Sequence, residues 1–134
     1  MIYAVIDTNV LVSAMLTHNK QSATFQIMEA MFANKITPLY NEEIIEEYED
    51  VLHRAKFGFS EDDVRHFLET MKQMGIHCQR IASSERFPDP KDVVFYEVTL
   101  SKDDAYLVTG NKKHFPQTPI VVTPAEMIEI LESL

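Results

Sequence analysis

The sequence predicts an α/β domain built around a central, mainly parallel β-sheet. Short continuous apolar runs at Ile2–Ile6, Ile36–Tyr40, Tyr106–Val108 and residues 120–122 read as strands, the first of them buried on both faces. Between them lie stretches whose apolar residues recur at three- and four-residue spacing, as on the buried face of a helix. Strands alternating with such helices return in the same direction through crossovers, which gives parallel pairing.

Each element has its own justification. Ile2–Ile6 ends at Asp7, after which Thr8 or Asn9 can cap a helix starting near Val10 and carrying Leu11, Val12, Met15 and Leu16. Phe25, Ile27, Met28, Met31 and Phe32 mark a second helix to about Asn34. Asn41 can cap a third, with Ile44, Ile45, Tyr48, Val51 and Leu52 on one face, broken at Phe57-Gly58-Phe59. Ser60 with Asp63 reads as a capping-box variant for a fourth helix that Gly75 stops. Residues 76–81 read as a weak edge strand. Asp89-Pro90 opens a helix that is apolar around nearly its whole circumference and therefore well buried. Thr123-Pro124-Ala125-Glu126 is a capping box for the terminal helix.

A chain of 134 residues with 46% hydrophobic and 25% charged residues suits one domain over residues 1–134. Three glycines and six prolines form no linker. The single cysteine, Cys78, excludes an intramolecular disulfide and reads as a small hydrophobic filler. No apolar run approaches the roughly 20 residues that span a bilayer, and the first residues lack a basic signal-peptide region, so a cytoplasmic protein without membrane contact is expected. The formal charge of −9 opposes tight nonspecific nucleic-acid binding, which needs Lys and Arg to neutralise phosphates.

Ligand sites of open parallel sheets lie beyond the carboxyl ends of the strands, which directs attention to the residues after Ile6, Tyr40, Val108 and Val122. Asp7 stands at the first of these. Asp89 and Asp92 stand at a helix start, Asp89 well explained as the cap and Asp92 facing packed structure. In the acidic helix, Glu43, Glu46 and Asp50 lie far from the apolar stripe, while Glu47 and Glu49 flank it on opposite sides, and spacing does not choose between them. Carboxylates without a cysteine or histidine cluster favour hard cations such as Mg²⁺ or Mn²⁺. His18, His53, His66 and His77 show no ligand spacing, and His114 reads either as a group near the site or as structural.

These segments together resemble the PIN-domain family. Val5-Ile6-Asp7-Thr8-Asn9-Val10 matches its opening strand, Glu46-Glu47-Tyr48-Glu49-Asp50-Val51-Leu52 its third helix, and Asp89-Pro90-Lys91-Asp92 the segment with its third acid. Tyr106-Leu107-Val108-Thr109-Gly110-Asn111 resembles its fourth motif, in a Thr-Gly-Asn form similar to a toxin-like branch. The resemblance implies a three-layer α/β/α fold and selects Asp7, Glu47 and Asp92 as catalytic acids holding Mg²⁺ or Mn²⁺. It makes Thr8, Asn9, Asp89, Thr109 and Asn111 supporting groups. It also implies an endoribonuclease for single-stranded RNA, a homodimer, and an antitoxin protein as partner. Lys112 and Lys113, beside the site, are expected to contact phosphate. Many relatives carry an aspartate where this chain has Asn111, which offers a carbonyl oxygen but no charge. The rival readings are a catalytically weak PIN-like binding module and an aspartyl phosphatase. The latter requires a second aspartate where Asn9 stands.

Overall fold

The computed structural model describes residues 1–134 throughout. Five parallel strands form one sheet in the order β3-β2-β1-β4-β5, flanked by six helices in a three-layer α/β/α arrangement. The strands are β1 (Ile2–Ile6), β2 (Ile36–Tyr40), β3 (Ile76–His77), β4 (Tyr106–Val108) and β5 (Val121–Val122). The helices are α1 (Thr8–Leu16), α2 (Ala23–Phe32), α3 (Glu42–Leu52), α4 (Glu61–Met74), α5 (Val93–Thr99) and α6 (Pro124–Glu132). No helix is long and apolar enough to cross a membrane.

β1 is the central strand, and Ala4, Val5 and Ile6 are completely buried. It pairs with β2 through Ile2↔Ile36 and with β4 through Ile6↔Val108. The chain builds outward to β3, then crosses back to add β4 and β5 on the other side of β1. The order therefore reverses between β1 and β4, and parallel sheets open a crevice where that happens.

Local chemistry explains most boundaries. Asn41, itself buried, accepts the Ile44 amide at 2.9 Å and starts α3. Ser60 accepts the Asp63 amide at 3.0 Å, and Thr123 with Glu126 forms the reciprocal capping box of α6. Gly75 ends α4 for reasons of space. A Cβ there would stand 2.5 Å from the Pro38 carbonyl oxygen and 3.0 Å from that of Met71. Cys78 is buried as expected.

Some boundaries differ from the sequence reading. Helix α1 begins at Thr8, so Asp7 takes the cap position and neither Thr8 nor Asn9 caps; the Asp7 side chain is engaged elsewhere. The edge strand expected over residues 76–81 pairs only at Ile76 and His77, because β2 ends opposite them at Tyr40. The strand expected at 120–122 shortens to Val121–Val122. The Asp89-Pro90 start opens as a 3₁₀ turn over Pro90–Asp92 before α5.

Candidate active site

Asp7 follows directly from β1, and its amide donates to the Val108 carbonyl at 2.9 Å, so this candidate acid is fixed to the end of β4. Its side chain leaves the helix terminus uncapped and instead accepts a hydrogen bond from Thr109 Oγ1 at 2.7 Å. Thr109 is fully buried, and the same hydroxyl oxygen accepts the Asn111 amide at 3.0 Å. Burial raises the Asp7 pKa, against the lowering influence of Thr109, the Thr8 amide and the charge of His114.

Helix α3 supplies Glu47. Its neighbour Tyr48 is completely buried and donates its hydroxyl to the Ile6 carbonyl, tying the helix to the end of β1 one residue before Asp7. Glu47 is half-buried, whereas Glu49 on the other side of the stripe is exposed. Burial raises the Glu47 pKa, Arg54 and Lys91 draw it down, and Asp50 and Asp7 push it up.

Asp92 closes the 3₁₀ turn ahead of α5, with Asp89 capping that turn by accepting the Lys91 amide at 3.0 Å. Its side chain is 19% exposed, and buried Oδ2 has no hydrogen-bond partner. His114 Nδ1 stands 3.5 Å from that oxygen. Asn111 Nδ2 lies 3.1 Å from His114 Nε2. Burial, then the charges of Asp7, Asp89 and Glu47, push the Asp92 carboxyl up to about 6, with His114 opposing. The charge of Asp7 contributes to the raised pKa of both Glu47 and Asp92.

The three acids are not drawn into a finished ligand set. No three Asp, Glu, His or Cys side chains lie close enough together to hold a metal ion as they stand. Like charges repel, and Thr109 occupies one oxygen of Asp7. The donors nevertheless suit a hard divalent cation, being carboxylates, one of them with a buried oxygen that no hydrogen bond satisfies.

The supporting residues fall into place unevenly. Thr109 touches Asp7, and Thr8 is buried with its hydroxyl unpartnered, whereas Asn9 and Asn111 are exposed. Lys112 is held by Glu126 at 3.1 Å, and Lys113 is exposed and forms no ion pair. Two participants escaped the sequence reading. Tyr48 looked like an ordinary member of an apolar stripe. Lys91 lies near enough for its charge to act on Glu47, and only its place between two site acids hinted at that.

A family model described as PIN domain matches residues 3–113, a span that includes Asp7, Glu47, Asp92 and Asn111. The chain belongs to the PIN-domain family. PIN domains are generally metal-dependent nucleases, so a phosphodiester hydrolase is the activity class of this fold. In this PIN domain, β5 and α6 lie beyond the matched span. No curated protein and no solved structure matches the chain.

Proposed function

We propose that this PIN domain is an endoribonuclease that hydrolyses single-stranded RNA with Mg²⁺ or Mn²⁺, using Asp7, Glu47 and Asp92. The observation that carries the reading is geometric: Asp92 has a buried carboxylate oxygen without a hydrogen-bond partner, and Asp7 stands at the end of β1 with its carboxylate held by Thr109. A divalent cation held by them would polarise a phosphoryl oxygen, promote ionisation of the attacking water and stabilise the leaving oxygen. Thr109 keeps Asp7 in one orientation, and Tyr48 holds α3 against the end of β1. In the metal-free protein, burial and the neighbouring acids push the Asp92 carboxyl up to about 6, so a bound cation would relieve repulsion there, with His114 Nδ1 3.5 Å from Oδ2. In-line attack by water would leave a 5′-phosphate and a 3′-hydroxyl.

The test is cleavage of single-stranded RNA by the purified chain with Mg²⁺, Mn²⁺ or EDTA, beside Asp7→Asn. Cleavage that needs the cation and disappears in Asp7→Asn supports the proposal. RNA binding without cleavage favours a catalytically weak binding module. The contact between Asn111 and His114 is compatible with that outcome, because a neutral amide stands where many relatives carry an acid. The finer reading is a homodimeric, cytoplasmic toxin restrained by an antitoxin protein. Growth arrest on expression, relieved by co-expressing a neighbouring small protein, would support it, and harmless expression would count against it.

A further inference from the structure

Away from the three acids, one cationic side chain joins α3, which carries Glu47, to α5, which follows Asp92. Arg80 Nε donates to Glu97 Oε1 at 2.8 Å, and Nη2 lies 2.7 Å from the same oxygen. Nη1 donates to both carboxylate oxygens of Glu43, at 3.0 and 2.9 Å. The second Glu97 oxygen accepts the Ser83 amide at 2.8 Å, and the Glu97 carbonyl accepts the Ile81 amide at 3.0 Å. The Glu97 side chain is only 10% exposed, so this acid inside an otherwise apolar helix relies on these partners in place of water.

Position gives the cluster its meaning. Glu43 precedes Glu47 by one turn of α3, on the same side of the helix. Glu97 lies on α5, which follows directly from Asp92. The guanidinium fork therefore fastens the Glu47 helix to the Asp92 helix. Between these helices the Tyr48 and Phe95 rings also meet, at 6.2 Å between centroids. Ring contact tolerates sliding, whereas charge-assisted hydrogen bonds from one guanidinium to two carboxylates constrain direction as well.

We propose that Arg80 is a positioning residue that sets the separation of the Glu47 and Asp92 carboxylates and, through it, the affinity of the site for a divalent cation. This rests on the reading of Asp7, Glu47 and Asp92 as the metal site. A role confined to pinning the segment between β3 and α5 would affect stability alone.

Calorimetric titration of the full chain with Mn²⁺, paired with thermal melts in EDTA, separates these roles. The variants are Asp7→Asn, Arg80→Lys, Glu43→Ala, and Arg80→Met combined with Glu97→Met, which replaces the ion pair by apolar groups and avoids stranding a buried charge. The double variant should bind Mn²⁺ about 3-fold more weakly, less than the loss of a group bonded to the ligands themselves, without a lower melting temperature. Arg80→Lys should fall between it and wild type, since one ammonium cannot grip both carboxylates as a fork does. Wild-type affinity in a folded double variant would overturn the proposal. If that variant does not fold, Glu43→Ala decides, because it removes an exposed arm at a helical position: wild-type affinity overturns the proposal and weaker binding supports it. Absent Mn²⁺ binding in wild type, or undiminished binding in Asp7→Asn, would instead remove the metal-site reading, and the proposal with it.

Discussion

Replacing Asp92 with Asn should make the metal-free protein more stable at neutral pH. In the folded state the Asp92 carboxyl is pushed from 3.8 up to about 6 by burial and by neighbouring acids. A pKa raised by folding means that the folded state holds this proton more tightly than the unfolded chain. The group's contribution to stability is therefore fully present below about 4, declines as pH rises through about 6, and is gone by pH 7. The full difference corresponds to about 3 kcal/mol. Because the side chain remains 19% exposed, solvent screening reduces the expected gain to about 1–2 kcal/mol. Asn has nearly the same shape and no charge, so Asp92→Asn should show this gain in urea denaturation at pH 7 with EDTA. The gain should vanish near pH 4, where Asp92 is protonated. Millimolar Mn²⁺ should stabilise wild type by mass action and Asp92→Asn much less. A variant that is destabilised at pH 7, or gains equally at both pH values, would refute the claim that Asp92 is ionised at a cost inside an acidic site.

Other outcomes can be checked independently. Thr109→Val removes the hydrogen bond to Asp7 while keeping the shape of the side chain, and Mn²⁺ titration should show about 10-fold weaker binding. Gly75→Ala places a Cβ against the Pro38 carbonyl and should lose about 1–3 kcal/mol in thermal or urea unfolding, although the glycine φ is ordinary. Changing Lys112 and Lys113 to Ala should leave the melting temperature nearly unchanged and reduce the salt slope of RNA binding by about 0.7 for each phosphate that is no longer neutralised. An unchanged slope would move the search to Lys91 and Arg54, whose charges act on Glu47.

The sequence was legible wherever one physical demand dominated. Continuous apolar runs located the strands, and the caps at Asn41, Ser60 and Thr123 were readable because side-chain oxygens next to a helical pattern have few other uses. Asp7 was visible because a carboxylate ending a buried strand needs a reason. What remained hidden depended on partners distant in sequence. Glu47 and Glu49 are equivalent by spacing, and only the packing of α3 against neighbouring helices makes one half-buried and the other exposed. Arg80 carries no local signal, but Glu97 did, as the one acid in a helix otherwise read as apolar. Tyr48 reads as packing because nothing local shows that its hydroxyl meets the Ile6 carbonyl. The cap position of Asp7 is hidden from local reasoning because Thr109 competes for its side chain from across the sheet.

The adjacency of β1 and β4 also governs the order in which the molecule acquires its parts. Asp7 and Thr109 touch across 102 positions of chain. During synthesis, β1, β2 and the intervening helices emerge first and can assemble around local contacts. One flank of β1 then stays open until Tyr106–Val108 has left the ribosome. Until that moment Asp7 lacks Thr109, Asp92 lacks His114, and the crevice between the strands does not exist. A nascent chain therefore lacks the contacts around Asp7 and Asp92 until β4 and the residues just after it have emerged. Pairings so remote in sequence form slowly, which places the closing of this flank late in folding.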